Sequence, residues 1–275
     1  MDGYSRVAVE LGSRGTRIVD LQASGPLAVF PSDHARDAIQ VTLVAAAGGP
    51  VGGDRVVLDV DVGHGCELTV RSAGASVVLG GDDPSSMLVR ASVAGTLRWM
   101  VEPLVVAEPG THHAQSRIRL TEGAALWWQD EVVFGRAGEE SGSCRLGLAV
   151  DRGGRPLLRH RLDVGAGAPG WDGPARLAGH RAVASVLLIQ GSDRIIDQPA
   201  AWSPSPPSDR RARLVLEGGG SLLTAVGDDL TEARDDLRSL LPPEAWLSYG
   251  LTISQTVGRA NTILGKEQQA KVVPT

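Results

Sequence analysis

The sequence predicts a mainly β protein, with a large body of many short strands and one or two α-helices near the C-terminus. The body is expected to be either a β-solenoid (β-helix-like) or a sandwich. Three observations support this. Glycine is frequent, at 35 of 275 residues, and separates short runs of valine, leucine and isoleucine. Several runs alternate apolar and polar residues, as half-buried strands do. A strand–glycine–strand unit also recurs at constant spacing.

The first half of the chain contains one predicted strand after another. Residues 6–11 and 16–21 flank the glycine-containing turn 12–15, which predicts a hairpin. Residues 39–45 form the next strand and lead into a turn-rich loop, 48–54.

A clear alternation follows this loop. Residues 56–62 carry valine or leucine at every second position, and Asp59 and Asp61 lie between them. A period of two places the apolar side chains on one face of a strand and the carboxylates on the other.

The constant spacing concerns three leucines. Leu68, Leu97 and Leu126 lie 29 residues apart, and each shortly follows a glycine that closes a strand-like run. Such a unit predicts layers stacked in a solenoid or in a large sandwich. Coincidence in a glycine-rich chain is the alternative, and the sequence leaves both open.

The second half contains further strands and two irregular segments. Strands are predicted at residues 117–121, 126–134, 144–151, 156–164 and 182–190, a loop at 165–179, and a connector rich in proline and serine at 199–208.

The clearest helix begins at Asp228 or Asp229. Asp229 and Glu232 match a capping box, and a proline pair at 242–243 ends the helix. Its apolar face consists of Leu230, Ala233, Leu237, Leu240 and Leu241. We expect this helix to dock on a single β-rich domain of residues 1–245, followed by a C-terminal extension, 246–275, of uncertain structure.

Composition excludes several classes of protein. The net charge is −5 and no dense basic run is present, so nucleic acid is not an expected partner. No apolar run is long enough for a signal peptide or a membrane span, so we expect a cytoplasmic protein that does not bind membranes. Cys66 and Cys144 match no zinc or redox motif and are expected to be separate buried thiols.

Common catalytic motifs are also missing. The chain has no phosphate-binding loop, no complete dinucleotide fingerprint and no nucleophile elbow. We therefore predict a protein that is not an enzyme and holds no tightly bound cofactor.

Two groups of side chains are candidate metal ligands. His112 and His113 are adjacent, so on a strand they would point to opposite faces. Both could reach one metal ion only from a turn, which residues 109–111 would supply. The alternative is a pair of exposed loop histidines.

The second group is acidic. Asp130 and Glu131 alternate on a predicted strand, so one of them is expected to face inward, and Glu139 follows nearby. An inward carboxylate either pairs with an arginine such as Arg136 or lines a wet cavity, because an unpaired buried charge is costly.

An ordered set of segments resembles the urease accessory protein UreD (UreH) family. Residues 48–70 contain its Gly-Gly-Asp turn, alternating strand and Glu-Leu-Thr strand, and residues 95–120 resemble its next region. Gly135-Arg136 and Gly138-Glu139 resemble its Gly-Arg…Gly-Glu signature, with shorter spacing here. The resemblance extends from about Arg6 to Leu241, and the segment from Trp246 onward resembles no part of the family.

The resemblance implies a scaffold for urease maturation. Proteins of this family bind UreF and, through it, the GTPase UreG, and the assembly docks on apo-urease, into which nickel is inserted. Their fold is described as β-helical with a water-filled passage. By this resemblance nickel would be in transit, and our candidates for a transient nickel path are Asp130, Glu131, Glu139, His112 and His113. We expect the three acids to border the passage or its mouth.

Two other functions remain open at this stage. A β-rich carbohydrate-active enzyme would need two carboxylates in one cleft, with aromatic residues such as Trp127 and Trp128 stacking on the sugar. A plain protein-interaction domain would have no metal role.

Overall fold

The structure, a computed structural model that describes residues 1–34, 38–191 and 210–241, consists mostly of β-strands. Residues Met1–Leu240 form one compact unit. The strands are β1 (Asp2–Gly12), β2 (Gly15–Ser24), β3 (Leu27–His34), β4 (Ala38–Ala45), β5 (Arg55–Val62), β6 (Glu67–Ser72), β7 (Ser76–Val78), β8 (Ser85–Val93), β9 (Thr96–Met100), β10 (Leu104–Val106), β11 (Thr111–Leu120), β12 (Ala125–Phe134), β13 (Ser143–Arg152), β14 (Arg155–Val164), β15 (Ala182–Ile189), β16 (Arg211–Val215) and β17 (Ser221–Gly227).

The strands form two sheets that share a core. Sheet A has the order β14-β13-β11-β8-β5-β1-β2, and sheet B has the order β16-β17-β15-β12-β9-β6-β4-β3. Buried side chains from both sheets meet in one large apolar cluster, in which Leu58 and Ile118 of sheet A join Leu68 and Leu126 of sheet B. Burial of this apolar surface is the main contribution to the stability of the fold.

The middle of the chain is a β-solenoid of about four coils. From β4 to β13 the chain alternates between the sheets, and successive strands within each sheet pair in parallel. Short strands β7 and β10 form a third, smaller ladder, in which β10 pairs with the end of β12. Of the two predicted architectures, the solenoid is therefore confirmed.

The 29-residue spacing corresponds to this coil. Leu68 lies directly opposite Leu97, Leu97 lies directly opposite Leu126, and Leu68 is flanked on its other side by Ile39. All four side chains are buried. One apolar position thus repeats once per coil, because each coil must present the same face to the core.

The glycine before each leucine allows the chain to turn between sheets. At Gly95 a β-carbon would collide with the carbonyl oxygens of Cys66 and Gly63 in the preceding coil. Only glycine permits this close approach of two backbones.

Antiparallel strands close both ends of the solenoid. β1 pairs with β2 and β3 with β4 at one end, as the predicted hairpin at residues 12–15 required. At the other end β13 pairs with β14, and β12 pairs with β15, which continues to β17 and β16. The loop predicted at residues 165–179 is a series of turns.

Helix α1 (Leu230–Ser239) packs on sheet B, against β12, β15 and β17. Asp229 is its N-cap and accepts a hydrogen bond from the backbone N–H of Glu232. The carboxylate of Glu232 accepts in return from the backbone N–H of Asp228 rather than of Asp229, so the predicted capping box is shifted by one residue. Ala233 and Leu237 of the predicted apolar face are buried.

Three further expectations concern membrane spans, the two cysteines and the C-terminal segments. In the described part of the chain no helix is both long and apolar enough to cross a membrane. Cys66 and Cys144 are buried free thiols, as predicted. The connector at 199–208, the proline pair at 242–243 and the extension from residue 246 lie outside the described residues, so the predicted domain boundary stays a prediction.

Candidate functional site

Asp130 is an acidic residue on the inner face of a strand that is otherwise apolar on that face. The inner face of β12 consists of Leu126, Trp128, Asp130, Val132 and Phe134, because every second side chain points the same way. Leu126 and Trp128 belong to the large core cluster, whereas Val132 and Phe134 belong to a separate one. Asp130 therefore lies at the division between two apolar cores.

Polar residues continue this division across sheet B. Ser185 of β15 lies opposite Asp130, and Thr224 of β17 lies opposite Ser185. All three are half-buried although they face the interior. The hydroxyl of Ser185 donates to the backbone carbonyl of Asp130 at 3.3 Å.

Sheet A is divided between the same two apolar clusters. Leu148 packs in the large cluster and Leu146 against the second one. Beside this division lies Ser116 of β11, which pairs with Leu148 and is half-buried. We call Asp130, Ser185, Thr224 and Ser116 the polar layer.

Burial controls the charge of Asp130. It raises the pKa of this carboxyl to about 6, and the neighbouring charge of Glu131 raises the pKa further. The indole N–H of Trp128 donates to Oδ2 at 2.8 Å and opposes the shift. No ion pair joins Asp130 to a cation among the described residues. A cation entering the polar layer would meet a carboxylate that has no competing positive partner.

His112 also lies in the interior, outside the polar layer, and it is more completely buried than the members of that layer. Its side chain is 2% exposed, and Nδ1 is 2.9 Å from the hydroxyl of Ser85. Because that hydroxyl donates to the carbonyl of Thr111 at 3.2 Å, we assign the Nδ1–H of His112 as the donor to Ser85. Burial lowers the pKa of His112 to about 4, so its imidazole is neutral at pH 7.

Cys144 lies directly opposite His112 on the neighbouring strand. Burial raises the pKa of this thiol to about 12, so it is protonated at pH 7. Imidazole and thiol thus lie on adjacent strands inside the protein, and sequence reasoning had missed this proximity. The signal for it was the pairing register, which only the fold supplies.

The two histidines do not converge, because the turn at residues 107–110 ends before them. Strand β11 begins at Thr111, so His112 and His113 are both on the strand. His112 is buried, whereas His113 is exposed on the outer face of sheet A. One metal ion cannot bind both side chains across the sheet.

Glu131 faces away from the polar layer. Its side chain is 2% exposed and accepts from Nε and Nη2 of Arg234 on α1, at 2.8 and 2.5 Å. Arg234 also lies 3.7 Å from Glu102. Arg136, which the sequence offered as one possible partner for the inward carboxylate, pairs with Glu139 instead. Glu131 joins the helix to sheet B and does not line the space between the sheets.

Glu139 and Arg136 pair with each other in the loop that follows β12. Two side-chain hydrogen bonds, at 2.8 and 2.7 Å, join them. The hydrogen bonds from Arg136 lower the pKa of Glu139 to about 2. A carboxylate saturated in this way is a poor ligand for a cation, because the ion would have to displace the guanidinium.

The Gly-Arg…Gly-Glu signature thus has a structural reason. Gly135 and Gly138 have positive φ angles of 81° and 75°, which other residues rarely adopt. Arg181 donates to the backbone carbonyls of Phe134 and Glu139 and closes the loop from the other side.

The five candidate residues therefore occupy separate places, and of these five only Asp130 belongs to the polar layer. Among the described residues no group of three or more histidine, cysteine, aspartate and glutamate side chains could hold a metal ion. A resident metal centre has no ligand set in this part of the protein. The period-two pattern of β12 predicted that one of Asp130 and Glu131 faces inward, and the structure identifies Asp130 as that residue.

The geometry also excludes the alternative of a sugar-cleaving site formed by Asp130 and Glu131. Asp130 and Glu131 lie on opposite faces of one sheet, so they cannot flank one glycosidic bond. Trp127 and Trp128 are each 1% exposed, and Trp128 stacks on Trp99 with ring centroids 4.5 Å apart. Neither indole is available to a sugar.

A family model and several known proteins that are similar to this chain all point to the same family. The model of the "UreD urease accessory protein" family matches residues 1–247. Urease accessory protein UreD of Streptomyces avermitilis is 34% identical over 241 residues, which cover 82% of this chain and 91% of that protein. Urease accessory protein UreD 3 of Streptomyces griseus subsp. griseus is 38% identical over 233 residues, covering 79% and 86%. Urease accessory protein UreD of Streptomyces coelicolor is 36% identical over 235 residues, covering 81% and 88%.

Proposed function

Since the chain belongs to the UreD family of urease accessory proteins, we propose that it is a cytoplasmic scaffold for urease maturation that catalyses no reaction itself. It binds UreF and, through UreF, the GTPase UreG, and this assembly docks on apo-urease. The family match over residues 1–247 is the observation that carries the proposal.

Nickel is the cargo of this assembly, and we propose that it passes along the polar layer. Asp130 is the charged member of that layer. A single carboxylate with hydroxyl neighbours binds a hydrated divalent cation weakly, which suits transfer, whereas a closed set of thiolates and imidazoles would retain the ion. His112 and Cys144 are too few to form such a set.

Co-expression tests the scaffold role. The chain is produced with UreF and UreG and analysed by size-exclusion chromatography, and co-elution of the three proteins is expected. A chain that elutes alone, while UreF and UreG are folded, would contradict the proposal.

Nickel content tests the passage. Asp130→Asn is expected to leave the complex intact but to lower the nickel incorporated into urease several-fold, because the layer loses its negative charge. Asp172→Asn, at an exposed loop position, is the matched control and should load urease normally. Metal analysis of purified urease gives the result, and normal loading with Asp130→Asn would refute a route past this residue.

A plain interaction domain is the second candidate. It is favoured by the absence of a three-ligand group among the described residues. Titration with nickel separates the two, because Trp128 touches Asp130 and its fluorescence should respond to a bound ion. No response and no binding at micromolar nickel would favour a scaffold without a metal role.

A further inference from the structure

The outer face of sheet A is uncovered in the described part of the chain. Even-numbered residues of β11 and β13, such as Ile118 and Val150, pack into the core, so their odd-numbered neighbours point outward. Helix α1 covers part of the outer face of sheet B. No described element packs in the same way on β11, β13 and β14.

Positive charge accumulates on this uncovered face. Five arginines and two aspartates point outward from β11, β13 and β14, an excess of three positive charges, in a chain whose net charge is −5. We call this set the arginine face: Arg117, Arg119, Arg145, Asp151, Arg159, Arg161 and Asp163.

The two aspartates cannot neutralise the five arginines. Asp163 is shared by Arg145 and Arg161, at 3.0 and 2.7 Å. Asp151 pairs with Arg159, which leaves Arg117 and Arg119 without an ion pair among the described residues.

Both remaining arginines are exposed and lie two positions apart on β11. Their side chains therefore project from the same face of the sheet, and guanidinium N–H donors match the geometry of carboxylates.

The residues beside these arginines on the neighbouring strand have small side chains. Ala149 of β13 lies next to Arg117, and Gly147 lies next to Gln115. A β-carbon at position 147 would come within 2.5 Å of Oε1 of Gln115, so that side chain lies flat over the glycine. The small residues leave open space beside the arginines. Acidic side chains of a partner can enter this space and reach the guanidinium groups.

We propose that the arginine face docks a protein partner that presents a cluster of aspartate and glutamate side chains. The inference rests on the proposed function, since the partner is a member of the urease maturation assembly. A protein fits better than a nucleic acid, because Asp151 and Asp163 lie among the arginines and would repel a run of phosphates. Unpaired charges at such a surface set the association rate and the choice of partner.

Charge reversal tests the proposal. The variant Arg117→Glu/Arg119→Glu is compared with Arg14→Glu/Arg176→Glu, which changes two exposed arginines elsewhere and has the same net charge. Apo-urease and the UreF–UreG complex are immobilised separately as probes, together with a duplex DNA. Circular dichroism confirms that each variant is folded, and Arg117→Gln/Arg119→Gln serves if the reversal does not fold.

We expect the reversal to weaken binding to one of the two protein probes by about tenfold or more, since opposing like charges are strongly unfavourable. The neutral variant should lose less, the control should stay within about twofold, and wild-type binding should weaken as salt is raised. If the charge-reversal variant and the control variant bind both protein probes with equal affinity, the arginine face is not a docking surface. The proposed function would still stand. Tight binding to DNA in place of protein would also overturn the arginine face as a docking surface for protein. A wild-type chain that binds neither protein probe would refute the proposed function itself.

Discussion

Asp130 shows how one side chain can set a dependence on pH. Its pKa is raised from 3.8 to about 6 by burial, so the folded state holds a proton that the unfolded state releases. Stability therefore falls as the pH rises from about 4 through about 6, because the charged form is disfavoured in the interior.

The first prediction follows from this sign. Asp130→Asn should be more stable than wild type by about 1–2 kcal/mol at pH 7.5, because the variant does not bury a charge. This is less than the full pKa shift would give, since the partial exposure of Asp130 lets water screen the buried charge. The difference should shrink towards zero as the pH falls to 4. Urea denaturation at a series of pH values measures it, and a constant difference at all pH values would contradict the assignment.

A second prediction concerns the loop after β12. Gly135→Ala should cost about 2–3 kcal/mol, because its β-carbon would lie 2.5 Å from Nη2 of Arg181 and 2.6 Å from the carbonyl of Glu139, at a positive φ. Gly138→Ala has a similar φ but open space around it, so about 1 kcal/mol is expected. Thermal unfolding compares the two, and equal losses would show that the contacts at Gly135 are unimportant.

The helix depends on a charge pair that spans the chain. Glu131 and Arg234 are 103 residues apart in sequence, and the carboxylate is almost completely buried. Removing the arginine leaves that carboxylate without its partner, which is more costly than losing an exposed pair.

The third prediction is therefore that Arg234→Ala destabilises the protein by about 3–5 kcal/mol. Asp235→Ala removes a neighbouring carboxylate that is 63% exposed and should cost less than about 0.5 kcal/mol. Chemical denaturation of both variants is the measurement. A small effect of Arg234→Ala would mean that water or another cation replaces the guanidinium.

Within the whole molecule, the apolar residue that repeats once per coil packs against its equivalents in the neighbouring coils. This stacking holds the solenoid together. Leu97 contacts the equivalent leucine in the coil before it and the coil after it. Our fourth prediction is that Leu97→Ala costs about 2–5 kcal/mol, because the cavity would lie between two neighbouring coils.

Leu214→Ala is the control for this change. Leu214 is 50% exposed on an outer strand, so about 0.5 kcal/mol or less is expected. Equal losses of unfolding free energy for the two variants in urea denaturation would show that the stacking of Leu97 between coils is unimportant.

The sequence predicted the features that depend on local pattern. The alternation in residues 56–62 became β5, the 29-residue spacing became the coil, and Asp229 became a helix cap. The period of β12 also predicted that one of Asp130 and Glu131 faces inward, although not which one.

Features that depend on distant residues could not be predicted. Arg234 as the partner of Glu131 follows from the docking of α1, and the proximity of His112 and Cys144 follows from strand register. The position of His112 was wrong because β11 starts at Thr111, earlier than its apolar pattern indicates. No local signal encodes these relations, since they arise when coils stack.

The antiparallel strands at both ends have a consequence for assembly. A bare solenoid would offer its last coil as a template for another copy and could grow into a fibre. Here β2 and β14 run against the coil direction and carry charged side chains such as Arg17 and Arg159, which disfavour such end-to-end growth. Addition of further copies at the two ends is therefore disfavoured, and the number of stacked coils is set by one chain.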